Sequence, residues 1–187
     1  GLLSEQAALD ALDQAETQLR KEIEALEKAR KSLEALQEIR GELDDVVFRQ
    51  QELQRDTIDE VATPSEATSS RLAARQRQLG EQADQLKARA QSPAPLAAQD
   101  LGQAVEAMES AKKHLENVAP LIAQPEQGEA LASLLSARKS LNKRIEDLQK
   151  QLGELPNSGE VVLEEARAAI EQAQGQVSEA LSDLGEN

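Results

Sequence analysis

The sequence predicts an all-α fold, an up-down antiparallel bundle of five helices that includes one very long N-terminal helix. Three observations lead there. Leucine, isoleucine and valine recur at spacings of three and four over most of the 187 residues, which is the period of an amphipathic helix. Aromatic residues make up 1% of the chain, with Phe48 alone and no Trp or Tyr, so the core must be built from aliphatic side chains and alanine. Long helices packed side by side do this readily, and an Ala, Glu, Lys, Leu and Arg-rich composition marks bundles and coiled coils. Finally, Pro, Gly and Ser cluster at intervals that divide the periodic stretches.

The first helix is expected from Ser4 to Val61. Ser4, followed by Glu5, supplies an N-cap and an acidic first turn. Leu9, Leu12, Leu19, Ile23, Leu26 and Leu33 form an a/d seam. At Leu33, Leu36 and Ile39 the spacing becomes three and three, so the seam slips, and it resumes at Leu43, Val46, Leu53 and Thr57. Gly41 lies beside the slip and weakens the helix by about 1 kcal/mol relative to Ala, so a bend is expected near residues 36–42.

Pro64 and the serines around it predict a loop from Ala62, with Ser69 or Ser70 capping a second helix from Arg71 to Gln91. Ser92-Pro93-Ala94-Pro95 is a tight connection to a third helix over Leu96 to Ala119, with Leu101, Val105, Met108, Leu115 and Val118 inward. Pro120 and Pro125 bracket the next break. A fourth helix is expected from Glu126 to Leu155, its seam running through Leu131, Leu134, Arg138, Leu141, Ile145, Leu148, Leu152 and Leu155. Arg138 would be the buried polar group that fixes register. After the turn Pro156-Asn157-Ser158-Gly159, a fifth helix is expected from Glu160 to Leu184, with Leu163, Ile170, Val177 and Leu184 on its seam. The organisation expected is residues 1–61 as a long coiled-coil helix, 71–155 as helices two to four packed along it, and 160–187 as a C-terminal helix. These would form one structural unit cut from a longer protein. Short connections imply antiparallel neighbours. Any part of the first helix projecting beyond the bundle must cover its leucines with another chain or with the last two helices.

The formal net charge of −14 argues against nucleic acid, whose phosphates require clustered Lys and Arg, and against an anionic membrane surface. No stretch reaches the roughly 18 apolar residues of a membrane span. Without cysteine there are no disulfides, thiolate metal sites or cysteine nucleophiles, and this suits cytoplasm and periplasm equally.

Chemistry-bearing motifs are sparse. His114 is the sole histidine and has no Glu three residues before it, so the paired Glu-x-x-His motifs of a di-iron bundle cannot form. The glycines make no phosphate-binding loop and the acidic residues no calcium loop. No catalytic residue, cofactor or metal is expected. The one candidate site is a polar stripe. Arg49-Gln50-Gln51-Glu52-Leu53 is echoed 26 residues later by Arg75-Gln76-Arg77-Gln78-Leu79. If the first two helices are hairpin neighbours, Arg49, Gln50, Arg75 and Gln76 face one another. They would either hydrogen-bond across the hairpin, with arginines pairing to Glu52 and Glu81, or bind an anionic ligand.

The stretch Val46-Val47-Phe48-Arg49-Gln50-Gln51-Glu52-Leu53-Gln54-Arg55-Asp56-Thr57 is followed by Leu72-Ala73-Ala74-Arg75-Gln76-Arg77-Gln78-Leu79-Gly80 and then by a helix centred on Met108. Over residues 40–150 this resembles helical regions of large, membrane-anchored bacterial envelope proteins of planctomycete and alphaproteobacterial type. The resemblance implies an extracytoplasmic setting and a structural or assembly role, and transfers no active residues.

The expected function is therefore a non-catalytic helical scaffold or protein–protein interaction module whose partners are other helices or a second copy joined through the first helix. A ligand-sensing helical bundle with Arg49 and Arg75 in an interhelical pocket is the alternative, and an enzyme comes third.

Overall fold

In the computed structural model the described residues are 1–154, 167–168, 171–172, 174–179 and 181–183. Most of them are helical and none lies in a strand. Four helices follow one another: α1 (Leu2–Glu60), α2 (Glu66–Ala90), α3 (Pro95–Glu116) and α4 (Pro120–Glu154). Leu155, the expected turn at 156–159 and part of the expected fifth helix lie outside the described residues, while 167–168, 171–172, 174–179 and 181–183 are helical.

The chain divides into two compact units, Ser32–Asp147 and Gly1–Lys31 with Leu148–Asn187, so one boundary falls inside α1 rather than in a loop. The first of these is a closed four-helix bundle whose order is visible in its cross-links. Arg89 reaches Glu38 and Glu42 while Arg75 reaches Asp56, so α2 runs antiparallel to α1. Lys87 lies against Gly102, and Gly80 against Met108, which makes α3 antiparallel to α2. Asp100 accepts hydrogen bonds from Ser136 and Ser140, while Arg144 Nε donates to the Pro93 carbonyl, setting α4 antiparallel to α3. Gln127 meets Thr57 and Arg138 meets Asp44, so α4 closes the ring antiparallel to α1.

Within this unit the seam of α1 is regular. Leu36, Ile39, Leu43, Val46, Gln50, Leu53 and Thr57 alternate spacings of three and four, and all are buried. Alanine shares the core with leucine: Ala83, Ala90, Ala97, Ala104 and Ala111 are buried beside Leu86, Leu101 and Met108. Small residues opposite large ones let layers interdigitate without aromatic bulk. Burial of this aliphatic surface, at about 25 cal/mol per Å², is the main source of stability.

Four local expectations are corrected. α3 ends at Glu116, not Ala119, so Val118, expected on its inward face, lies beyond the helix. α2 begins at Glu66, not Arg71, because Ser65 is its N-cap: the Ser65 hydroxyl accepts from the Thr68 N–H at 3.2 Å. Ser69 and Ser70 are already inside the helix. α4 begins at Pro120, where proline's missing N–H is one of the unpaired first-turn donors anyway, and it continues through Pro125. Arg138 is not in the seam. Ala137 occupies that place at 0% exposure, and Arg138 stands on the flank, 3.6 Å from Asp44.

In the unit of 1–31 and 148–187, Ala29 and Leu148 are buried, whereas Leu12, Ala15, Leu19, Ile23 and Leu26 are half-buried. Leu9, assigned above to the seam, is 45% exposed, with Leu2 and Leu3 exposed further.

Candidate functional site

The polar groups that converge inside the four-helix unit come from three helices at one level. Gln50 of α1 and Gln76 of α2 are both fully buried and form a reciprocal amide pair. Gln50 Nε2 donates to Gln76 Oε1 at 3.2 Å, and Gln76 Nε2 donates to Gln50 Oε1 at 2.8 Å. Gln127 of α4, also at 0% exposure, donates through Nε2 to Thr57 Oγ1 at 3.0 Å and to Gln76 Oε1 at 3.3 Å. The Thr57 hydroxyl is committed to the Leu53 carbonyl at 2.8 Å.

Each member occupies its place for a sequence reason. Gln50 stands seven residues from Leu43 and from Thr57 on the α1 seam. Gln76 lies between Ala73 and Leu79 on the buried face of α2. Gln127 is seven residues before Leu134, which is seven before Leu141. A buried amide costs free energy unless it finds partners, and here the amides find one another. Gln127 Oε1 is the exception: no protein group donates to it. Ser69 Oγ and Gln82 Oε1 are likewise buried without a partner.

The arginines of the expected stripe are elsewhere. Arg49 pairs with Asp45 at 3.2 Å and Arg75 with Asp56 at 2.6 Å, and both side chains are more than two-fifths exposed. The expected partner Glu81 is met by Arg77, at 3.9 Å. The structure thus joins Gln50 to Gln76 and sends Arg49 and Arg75 to the rim. A groove of about 350 Å³ between α1 and α2 has Val46 and Leu86 in its walls with Arg89 beside them, and neither Arg49 nor Arg75 lines it.

The layer holds amides and one hydroxyl, with no carboxylate, imidazole or amine, so its chemistry is hydrogen bonding between helices. Among the described residues no group of three or more His, Asp or Glu is placed to hold a metal ion, and no helix is long and apolar enough to cross a membrane.

Gln127 and Thr57 complete a site of which the sequence signalled only half. Thr57 lies on the expected seam, but Gln127 fell beside a proline break. The signal that would have found it is the heptad of Leu148, Leu141 and Leu134 extended one step back.

No protein-family model, curated protein or solved structure matches this chain.

Proposed function

We propose that the chain is a non-catalytic helical scaffold that presents helix faces to other helices, of a partner or of a second copy, as part of a bacterial cell-envelope protein. The observation that carries this reading is a contrast along α1. Between Leu36 and Thr57 its seam is covered to 4% exposure or less, whereas Leu12, Leu19, Ile23 and Leu26 are half-buried and Leu9 is exposed. A helix of 59 residues is about 88 Å long, and its first half carries leucines that gain from further cover. The core polar groups support the same reading, because Gln50, Gln76 and Gln127 are spent on hydrogen bonds that hold helices to one another.

The ligand-sensing alternative needs Arg49 and Arg75 to converge, and each is tied to an aspartate on the surface. A thermal-shift screen with anions and small metabolites separates the two readings. The scaffold reading expects no stabilisation. A hit that disappears in Arg49→Ala or Arg75→Ala would replace it with the sensor.

A further inference from the structure

Four independent features of the four-helix unit fall on one short segment, the α3–α4 corner and the first two turns of α4. The first is Val118. α3 ends in a Schellman motif, with the Ala119 N–H bonded to the His114 carbonyl at 2.9 Å and the Val118 N–H to the Leu115 carbonyl at 3.0 Å. That motif places its next-to-last residue in the left-handed region, where glycine is usual. Here the residue is Val118, at φ 56°, and it is the only non-glycine residue in that region among those described. A β-branched side chain is strained there.

The second feature is Pro125, which lies inside α4 and cannot donate to the Leu121 carbonyl one turn back. The third is Gln127, whose Oε1 is buried without a donor. The fourth is the lack of an anchor. From Pro120 to Gln127 the buried residues are Pro120, Ala123 and Gln127, while Leu121 and Ile122 stand 64% and 57% exposed. Large buried anchors of α4 begin only at Leu134. By contrast, α2 has a side-chain cap at Ser65 and buries Leu72 within two turns.

We propose that residues 118–127 form a strained latch that opens locally while the rest of the four-helix unit stays folded. Local opening is cheapest where few apolar groups are buried, and backbone strain concentrates at segments that switch. Opening removes Gln127 from Thr57 and Gln76, so the polar layer becomes accessible from the α1–α4 side. It also uncovers Ala123 beside Leu121 and Ile122, which are exposed already, and so completes a contiguous apolar run.

Residue-resolved amide hydrogen exchange on the full chain tests this. Gln124 and Glu126–Glu129 of α4 lie as far from their helix start as Ser70 and Leu72–Arg75 of α2. The α4 amides should exchange at least about tenfold faster than their α2 counterparts. Val118→Gly relieves the left-handed strain and Pro125→Ala restores the missing donor, so each should slow that exchange by about tenfold. The amides of residues 137–145 should be unchanged in both. Both variants are expected to stabilise the segment, so failure to fold does not confuse the result. Protection equal to that of α2, or exchange that neither variant slows, would overturn the proposal.

Discussion

Gln50 and Gln76 exchange two amide hydrogen bonds at the centre of the four-helix unit, at 3.2 and 2.8 Å, with neither side chain reaching solvent. Two amides paired in this way lock one turn of α1 against one turn of α2, because a slide of either helix breaks both bonds at once. A polar layer in an apolar seam commonly fixes register at some cost in stability.

The sign of that cost can be measured. Gln50→Leu leaves Gln76 Nε2 buried without an acceptor and should destabilise by about 1–3 kcal/mol in urea unfolding followed by circular dichroism. Gln50→Leu with Gln76→Leu removes both members of the pair and should recover much of that loss. The double variant strands Gln127 less severely, since Thr57 still accepts from it at 3.0 Å. Equal and additive losses would mean that the two glutamines do not act as a pair.

A charge in the apolar seam should be ruinous. Leu141 is at 0% exposure, between Ala137 and Ile145. Leu141→Asp should cost about 3–5 kcal/mol or more, a large share of the 5–15 kcal/mol that holds a typical domain together. Glu52→Ala, on the exposed face of α1, should shift the melting temperature little. Near-normal melting of Leu141→Asp would contradict the packing described.

Gly41 offers a stabilising change. A Cβ added there meets nothing within 4 Å, and its φ is not in the left-handed region. Gly41→Ala should therefore gain about 0.5–1 kcal/mol through helix propensity alone. Gly102→Ala adds packing to the same gain, since the new methyl lies 3.5 Å from the Lys87 stem, an ordinary van der Waals contact. Equilibrium unfolding of the two variants side by side separates propensity from packing.

The start of α2 can be settled with two serines. Ser65→Ala loses the cap to Thr68 and should cost about 1 kcal/mol, while Ser70→Ala, exposed inside the helix, should cost little. The reverse ranking in thermal melts would place the helix start where sequence signals alone put it.

Periodicity carried the fold class because the apolar residues of a helix repeat whatever their partners are. It also carried the α1 seam from Leu36 to Thr57, where the buried positions run in strict alternation, whereas Leu9 of the expected seam is exposed. The half of the polar layer on α1 and α2 was legible as a repeated Arg-Gln string, although only the glutamines turned inward. One residue of phase decides that, and phase is set by the leucines on either side. Punctuation misled where local rules compete. Pro125 reads as a helix boundary, yet α4 passes through it, hiding Gln127, and Ser65 caps a helix that Ser69 and Ser70 advertise more loudly. Arg138 and Ala137 illustrate the same limit, since alanine gives a weak apolar signal beside a run of leucines. Val118 has the spacing of an inward helix residue, yet it lies past the end of α3 in a left-handed position that calls for glycine, which periodicity does not register.

The most direct test of the central claim is the mass of the full chain in solution, by size-exclusion chromatography with light scattering and refractive-index detection, which suits a protein without Trp or Tyr. If the first half of α1 is an interaction surface that also joins two copies, the mass at micromolar concentration should exceed 20.3 kDa and return to it in Leu12→Asp with Leu19→Asp. A mass of 20.3 kDa for the unaltered chain throughout the micromolar range would contradict self-association through α1.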